Sequence, residues 1–191
     1  MKLLYAALAL VLLTGCTLFA RKAKKNESSK QVAPSSSFFD LSATDINGKK
    51  RKMSEFKGKY ILVVNTASKC GYTSQYKELE ELYKKHSSKL IVLGFPTNDF
   101  LWQEPGTNKE IQEFCSLKFG VTFPMFEKTT TKGKSKHEIY QWLTDKTLNG
   151  WNKTKPSWNF NKYLISPDGK LLEHFGSGIK PLSAKITDLI Q

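Results

Sequence analysis

The stretch 60–76 constrains the fold most strongly, because in it an apolar run passes through a short turn into a helical pattern. Tyr60–Val64 is apolar and rich in β-branched and aromatic residues, a composition typical of a strand that is buried on both faces. Polar residues follow, then Cys70, and apolar residues recur at helical spacing from Tyr76 onward. The pattern therefore places one cysteine in a strand-to-helix turn, beside a helix N-terminus.

That position has chemical consequences for the thiol. The thiolate is the nucleophile, and a free cysteine with a pKa near ~8.5 is mostly protonated at neutral pH. A helix N-terminus, with Thr73 or Ser74 as the candidate cap, presents unpaired N–H groups and the positive end of the helix dipole, and both favour a thiolate. Lys69 adds a cation next to Cys70. The alternative is an inert buried cysteine, since free cysteines are among the most buried residues.

The N-terminus carries the pattern of a targeting segment. Lys2 precedes an apolar run of 11 residues, Leu3–Leu13, which is shorter than the roughly 20 residues that span a bilayer. The sequence Leu13-Thr14-Gly15-Cys16 resembles the lipobox of bacterial lipoproteins, in which the cysteine becomes the lipidated N-terminus after cleavage. Residues 1–15 are thus predicted to be a lipoprotein signal peptide, and Cys16 the site of lipid attachment. The alternative is an ordinary secretory signal with an incidental cysteine.

The remainder divides into a tether and one domain. Residues 16–37 are rich in Ser and Lys and poor in apolar residues, which is typical of a flexible linker. Residues 38–191 have the length of a single domain. We therefore expect an exported domain that is lipid-anchored to a bacterial cell-envelope membrane.

The net charge of +13 raises the question of a nucleic-acid partner. The lysines, however, are scattered along the chain, Arg21 and Arg51 are the only arginines, and export is predicted. No nucleic-acid partner is therefore expected, and an anionic membrane surface or an acidic partner fits the charge better.

The order of predicted elements indicates the fold class. Strands alternate with helices in the first half, and a hairpin comes late, which is typical of an α/β domain with a mixed central sheet flanked by helices, thioredoxin-like in outline. The predicted strands are 38–41 and 50–53 around Asn47-Gly48, then 60–64, 90–95, 123–126, 158–165 and 171–175. The predicted helices begin near 76, span 107–118 and 136–146, and start again at Pro181.

The cysteine and histidine content limits the possible sites. Cys16, Cys70 and Cys115 are the only cysteines, and no CxxC pair occurs, so a disulfide-stapled scaffold is not expected. The three histidines are isolated, and each is interpreted as a surface or half-buried residue rather than a metal ligand. They are His86, His137 and His174.

Three motifs resemble those of the glutathione peroxidase family, and they occur in the family's order. The first surrounds Cys70 and reads NTASKCGYT from Asn65 to Thr73. The second reads FPTNDF from Phe95 and continues with QEPG from Gln103. The third reads SWNFNKYL from Ser157. The resemblance covers nearly the whole domain after the linker.

The resemblance implies a catalytic tetrad, in which Cys70 is the peroxidatic residue and Gln103, Trp158 and Asn159 are its partners. Amide and indole donors aimed at sulfur favour the thiolate, and they can also bind peroxide oxygen and stabilise the leaving hydroxide. No metal or organic cofactor is required. Taken singly, a Gln or Asn in a turn is usually structural and a Trp is usually core. Their joint occurrence with Cys70 favours the functional interpretation.

The second motif departs from the family pattern. Many thiol-based members have a cysteine where Thr97 stands, and Asp99 replaces the common glutamine. Leu101 and Trp102 replace smaller residues before Gln103. Trp102 is expected either to narrow the approach to the site or make it more apolar, or simply to cover the neighbouring loop as a surface residue.

The segment around Cys115 resembles the resolving-cysteine region of the thioredoxin-dependent members. Residues 147–157 are too few to hold the longer insertion of the tetrameric members, so the resemblance implies a monomer of the phospholipid-hydroperoxide type. Because Cys115 is predicted on the 107–118 helix, away from the Cys70 turn, a disulfide between them would require local unfolding. The implied reductant is a thioredoxin-like protein or a low-molecular-weight thiol.

Together these features predict a membrane-tethered thiol peroxidase that reduces hydrogen peroxide and organic or lipid hydroperoxides. Two alternatives remain open from sequence. One is a redox sensor that passes oxidation from Cys70 to a partner protein. The other is a non-enzymatic envelope lipoprotein that uses the fold for binding.

Overall fold

The computed structural model describes residues 33–190. The predicted signal peptide, Cys16 and most of the predicted linker lie outside these residues. Within them, no helix is both long enough and apolar enough to cross a membrane. The strands are β1 (Ser42–Thr44), β2 (Lys50–Lys52), β3 (Tyr60–Thr66), β4 (Leu90–Pro96), β5 (Lys162–Ile165) and β6 (Leu171–Phe175). The α-helices are α1 (Gln75–Lys85), α2 (Asn108–Phe119), α3 (Glu138–Leu143), α4 (Lys146–Asn149) and α5 (Ala184–Thr187).

The core is a mixed four-stranded sheet in the order β4-β3-β5-β6. Strand β3 pairs in parallel with β4 and antiparallel with β5, and β5 pairs antiparallel with β6. The sheet and its flanking helices confirm the predicted α/β fold with a mixed sheet. Strands β3 and β4 occupy the positions predicted from their apolar runs, and Thr107 caps α2 through a capping box, as its sequence indicates.

Alternate residues of β3 serve two separate hydrophobic clusters. Leu62 and Val64 pack on the face that also holds the buried residues of α1, α2 and α5. Ile61 and Val63 pack on the opposite face, with the buried residues of α3. Successive side chains of a strand point to opposite faces of the sheet. Because both faces of β3 are covered, every position is buried, and this explains the continuous apolar run. Each such side chain contributes about 1.5–3 kcal/mol by leaving water.

The parallel pair β3 and β4 also positions the site. Both strands end at the same edge of the sheet, and the N–H of Thr97 donates to the carbonyl of Thr66 at 3.0 Å just beyond them. The segments that leave this edge carry Cys70 and Gln103. Loops at the carboxyl ends of parallel strands are the usual place for ligand sites in open α/β sheets.

The predicted strand at 38–41 is wrong. Phe38–Asp40 forms a 3₁₀ helix with a capping box from Ser37, and the hairpin pairs only from Ser42, with Ala43 opposite Arg51. A tertiary contact explains the difference. Phe38 is fully buried, and its ring meets the Trp142 ring edge-on, with 5.2 Å between the centroids.

The predicted helix 136–146 is divided into α3 and α4. The ring nitrogen Nδ1 of His137 accepts from the N–H of Ile139 and starts α3. The carboxylate of Asp145 accepts from the N–H of Thr147 and starts α4. Asp is a preferred N-cap because its side chain satisfies an unpaired N–H, so Asp145 restarts the helix instead of continuing it.

Three further predictions differ from the structure. Residues 123–126 form only isolated bridges, Gly94 with Met125 and Asp45 with Phe126, since Pro124 has no N–H to donate to a ladder. The strand predicted from Trp158 begins only at Lys162, so the third motif lies mostly in a loop. The last helix is limited to the single turn of α5.

Candidate active site

Cys70 lies in the turn between β3 and α1 and is 9% exposed. The hydroxyl of Thr73 fixes this turn, because it accepts from the Cys70 N–H at 3.0 Å and donates to the Ala67 carbonyl at 2.9 Å. The Tyr72 N–H donates to Cys70 Sγ at 3.4 Å. Ser74 occupies the N-cap position of α1, as one of the two predicted candidates, but makes no side-chain cap bond, and Thr73 uses its hydroxyl inside the turn. Sulfur therefore meets a backbone N–H at the entrance to α1.

The loop that carries Gln103 is attached to the Cys70 turn by two contacts. The Lys69 N–H donates to the Gln103 carbonyl at 3.0 Å. The Ser68 hydroxyl donates to Glu104 Oε1 at 2.6 Å. Glu104 is fully buried, and that burial raises the pKa of its carboxyl group. Beside these contacts a surface cavity of about 370 Å³ opens between residues 68–69 and the start of α2.

The loop that carries Trp158 and Asn159 is held by Asn65 at the end of β3. The Asn65 side chain donates to the Trp158 carbonyl at 2.9 Å and accepts from the Asn161 N–H at 3.0 Å. The Asn65 carbonyl accepts from the Phe160 N–H at 2.6 Å. Asn65 is fully buried, so its amide serves mainly to position this loop. In the sequence, Asn65 stands out only as the first residue of the first motif. A polar residue at the end of an apolar run was the available signal.

These contacts bring the four predicted site residues to one edge of the sheet. Asn159 Nδ2 donates to Gln103 Oε1 at 3.0 Å, and the Trp158 ring lies 5.8 Å from that of Phe100. Trp158 packs against the hydrophobic cluster that contains Cys70. Asn159 thus acts on Gln103 and does not contact the sulfur by a hydrogen bond.

Two donors at this edge have no protein acceptor. Within residues 33–190, the Tyr72 N–H makes the only hydrogen bond to Cys70 Sγ, and neither Gln103 Nε2 nor Trp158 Nε1 donates to a protein group. Because Asn159 occupies Gln103 Oε1, the NH₂ group of Gln103 is turned the other way. Neither donor group is therefore engaged by the described part of the protein.

Cys115 lies on α2, as predicted, and is 2% exposed. Both Cys70 and Cys115 are free thiols, and both belong to the same hydrophobic cluster. Burial raises the pKa of the Cys115 thiol to about 11. In the folded state Cys115 is thus a protonated, poorly nucleophilic thiol.

Two of the three histidines make hydrogen bonds within the fold. His137 caps α3, and a ring nitrogen of His174 lies 3.0 Å from Asn161 Oδ1. The part of the chain described by the structure contains no group of three or more His, Cys, Asp or Glu residues able to hold a metal ion.

Lys162 supports the site, and sequence reasoning did not identify its role. Its fully buried ammonium donates to the Phe160 carbonyl at 2.9 Å, to the Ile179 carbonyl at 2.7 Å and to Gln75 Oε1 at 2.6 Å. It thereby joins the loop after Asn159, the first residue of α1 and the C-terminal segment. Burial lowers the pKa of Lys162 to about 7.

Replacement of Lys162 by methionine is expected to lower the free energy of unfolding by about 2–4 kcal/mol, because several buried oxygen acceptors lose their donor. The parent should also gain stability as the pH rises from about 7 toward ~10.4, the pKa of an unfolded lysine. Over that interval the unfolded chain binds a proton that the folded chain does not. Urea unfolding at several pH values measures both effects. The exposed Lys185→Met is the control, and an equal effect of both variants would contradict the assignment.

Comparisons with known proteins support the family resemblance that the three sequence motifs indicate. Residues 38–144 match the family model described as glutathione peroxidase. The chain is 47% identical over 150 residues to glutathione peroxidase-like peroxiredoxin 2 of Saccharomyces cerevisiae, covering 77% of this chain and 91% of that protein. It is 40% identical over 162 residues to a hydroperoxy fatty acid reductase of Synechocystis, covering 80% and 95% of the two chains.

Among solved structures, the fold resembles that of a thioredoxin-family thiol:disulfide interchange protein from Chlorobium tepidum. The TM-score is 0.60 at 14% identity, and the match covers 83% of this chain and 97% of the other. At that identity the likeness concerns the fold alone. It confirms that the predicted thioredoxin-like architecture is correct.

Proposed function

The chain belongs to the glutathione peroxidase family, whose members are oxidoreductases acting on peroxides, and from this we propose that Cys70 is the residue that reduces the peroxide. The Cys70 thiolate attacks one peroxide oxygen, and the O–O bond breaks. Sulfur is oxidised to a sulfenic acid, and the second oxygen leaves as hydroxide or alkoxide, which takes up a proton to give water or an alcohol. Electrons and atoms balance within this step.

The observation that carries the proposal is the pair of unused donors beside the Cys70 turn. Gln103 Nε2 and Trp158 Nε1 have no protein acceptor within residues 33–190, and Asn159 fixes the orientation of the Gln103 amide. Preorganised donors of this kind stabilise the charge that develops on a leaving oxygen. We assign Gln103 and Trp158 to this role, and Asn159 to the positioning of Gln103.

The proposed substrates are hydrogen peroxide and organic or lipid hydroperoxides. The name of the Synechocystis relative refers to hydroperoxy fatty acids, and that relative supports a lipid substrate here. The Cys70 turn opens toward solvent at Tyr72, which is exposed, so a bulky substrate has an approach from that side. We propose that the protein acts as a monomer.

Cys115 is the proposed resolving residue. Its thiolate would attack the sulfenic acid of Cys70, forming a disulfide and releasing hydroxide. A thioredoxin-like protein or a low-molecular-weight thiol would then return both cysteines to thiols. The other thiol of the chain, Cys16, is the proposed site of lipid attachment, which leaves Cys115 as the internal partner.

Replacement of Cys16 by serine is expected to abolish lipid labelling and to shift the protein from the membrane to the soluble fraction. The reason is that stable anchoring takes more than one acyl chain, and processing at this cysteine would supply them. Fractionation of cells grown with a labelled fatty acid measures both effects. The matched control is Cys115→Ser. A Cys16→Ser protein that stays membrane-bound, with the same unprocessed N-terminus as the parent, would contradict the anchor.

The experiment that tests the proposed function is steady-state peroxide consumption by the protein, with thioredoxin and with glutathione compared side by side. A thiol peroxidase turns over many equivalents of peroxide with at least one of them. A redox sensor would instead be oxidised once and turn over poorly with both. A non-enzymatic binding protein would consume no peroxide.

A further inference from the structure

Two large apolar side chains project from the loop that carries Gln103. Leu101 is 66% exposed and Trp102 is 77% exposed. Scattered exposed apolar residues are ordinary on a protein surface, but these two are adjacent in sequence and directly precede a proposed catalytic residue. Behind them Phe100 is buried and packs near the Trp158 ring. We call Leu101 and Trp102 the apolar tip.

The backbone of the tip is strained. Leu101 has φ 50° and Trp102 has φ 53°, so two consecutive bulky residues adopt the left-handed conformation that glycine accepts without cost. The bend is fixed on its far side, where the Gln103 N–H donates to the Phe100 carbonyl and the Gln103 carbonyl accepts from Lys69. Strain that persists without burial of the side chains indicates a role outside the domain's own packing.

The charges around the tip are positive. Lys69 is exposed beside Gln103, and Lys132 is exposed, with Nζ 4.4 Å from the centre of the Phe100 ring. The two carboxylates that flank the tip in sequence, Asp99 and Glu104, are engaged or buried within the domain. Asp99 accepts from the Thr131 hydroxyl at 3.0 Å and from the Lys132 N–H at 3.1 Å, and Glu104 is buried. Cations around an apolar tip complement anionic headgroups above acyl chains.

We propose that the apolar tip inserts into the interfacial region of an anionic phospholipid bilayer and holds the Cys70 turn against it. Tryptophan favours this region because its ring is apolar and its N–H is polar. Leu101 enters the acyl layer beside it, while Lys69 and Lys132 meet phosphate groups. The consequence for catalysis rests on the proposed function. A hydroperoxide on an acyl chain at the interface would be presented to Gln103 and Cys70 without leaving the membrane.

The test uses the intact chain and the double variant Leu101→Asn/Trp102→Asn. Asparagine tolerates the left-handed conformation, so the backbone is kept while both apolar side chains are removed. Residues 1–37 are the same in every protein, so any binding that they provide is common to all. The control is Leu172→Asn, which removes an exposed leucine from β6, away from the site.

The first measurement is tryptophan fluorescence on phosphatidylcholine vesicles that contain about a quarter phosphatidylglycerol and bear brominated acyl chains. The parent and Leu172→Asn should be quenched, whereas Leu101→Asn alone, which keeps Trp102 as the fluorescent reporter, should be quenched less than the parent. An unquenched parent overturns the proposal. Equal quenching of the parent on vesicles without phosphatidylglycerol overturns the assignment to anionic lipid.

The second measurement is the ratio of turnover on phosphatidylcholine hydroperoxide in those vesicles to turnover on hydrogen peroxide. This ratio should fall about tenfold in the double variant, since two apolar side chains no longer leave water, and should not change in Leu172→Asn. An unchanged ratio in the double variant overturns the catalytic part. Failure of the parent to reduce hydrogen peroxide would overturn the proposed function alone, because the quenching measurement does not depend on activity.

Discussion

Peroxide-driven oxidation should disappear when Cys70 is replaced by serine, and it should slow by about 10²–10³ when Gln103 is replaced by alanine. Serine has the shape of cysteine but lacks a nucleophile that ionises near neutral pH. Gln103→Ala keeps the thiol and removes one of the two unused donors. Trp158→Phe removes the other donor, keeps an aromatic ring beside Phe100, and is expected to slow the same step.

Asn159 is expected to behave differently from the two donors, because it acts through Gln103. Its Nδ2 group donates to Gln103 Oε1 at 3.0 Å, so Asn159→Ala should slow oxidation by releasing the Gln103 amide from its fixed orientation. Once Gln103 is alanine, nothing remains for Asn159 to orient. The double variant should therefore be no slower than Gln103→Ala alone, whereas two independent donors would give additive losses in activation free energy.

Single-turnover mixing with hydrogen peroxide, followed by quantification of the remaining Cys70 thiol, measures these rates without any reductant. Gln141→Ala is the matched control, because that exposed amide lies on α3, on the face of the sheet opposite α1, and donates to the Lys136 carbonyl. Oxidation at the parent rate in Gln103→Ala, Trp158→Phe and Asn159→Ala would contradict the proposed roles. Additive losses in the double variant would contradict the positioning role of Asn159 specifically.

The sequence predicts the frame of the fold well where one local pattern decides the outcome. The apolar runs of β3 and β4 are buried on both faces, so their composition alone identifies them as strands. Thr107 and Glu110 fix the start of α2 through a capping box, a signal that lies within four residues. The position of the Cys70 turn can also be predicted, because it lies between a strand and a helix that the sequence identifies.

The arrangement of the site depends on contacts between distant residues, and periodicity cannot reveal these. Asn65 holds the loop at 158–161 across nearly a hundred residues of sequence, and Lys162 joins that loop to Gln75. The sequence gives the identity of these two residues but not the distant residues that they contact. Family resemblance located Gln103 and Asn159, yet only the structure shows that Asn159 bonds to Gln103.

The second large effect concerns recycling, which is expected to require local unfolding around Cys115. In the fold, burial raises the pKa of this thiol to about 11, so very little thiolate is present at neutral pH. Exposure to water would return the pKa to its ordinary value and raise the thiolate fraction by on the order of a hundredfold. Opening the end of α2 therefore delivers a better nucleophile as well as bringing it within reach of Cys70.

Replacement of Cys115 by serine should leave reduction of the first equivalent of peroxide intact and abolish thioredoxin-driven turnover. The sulfenic acid of Cys70 would then have no internal thiol with which to condense. Peptide mapping after one equivalent of peroxide should find a Cys70–Cys115 disulfide in the parent and a sulfenic acid in the variant. Full turnover of Cys115→Ser with thioredoxin would rule out this mechanism and favour an external thiol.

The opening itself can be tested at the C-cap of α2. Gly120 has φ 63°, and its N–H donates to the carbonyls of Cys115 and Ser116. Alanine at Gly120 meets no neighbouring atom within 4 Å, so its main effect is the cost of a left-handed alanine, about 1 kcal/mol. That cost weakens the last turn of the helix, which should raise the open population and the rate of disulfide formation about fivefold.

Gly58→Ala is the matched control for Gly120→Ala. Gly58 also has a positive φ, 89°, and no atom within 4 Å of an added Cβ, but it precedes β3 and lies outside α2. Both variants should lose similar global stability, whereas only Gly120→Ala should accelerate formation of the Cys70–Cys115 disulfide. Equal rates in the two variants would mean that opening of the α2 end does not limit resolution. A faster rate in Gly120→Ala alone would identify this helix end as the segment that must unfold locally before Cys115 reaches the oxidised Cys70.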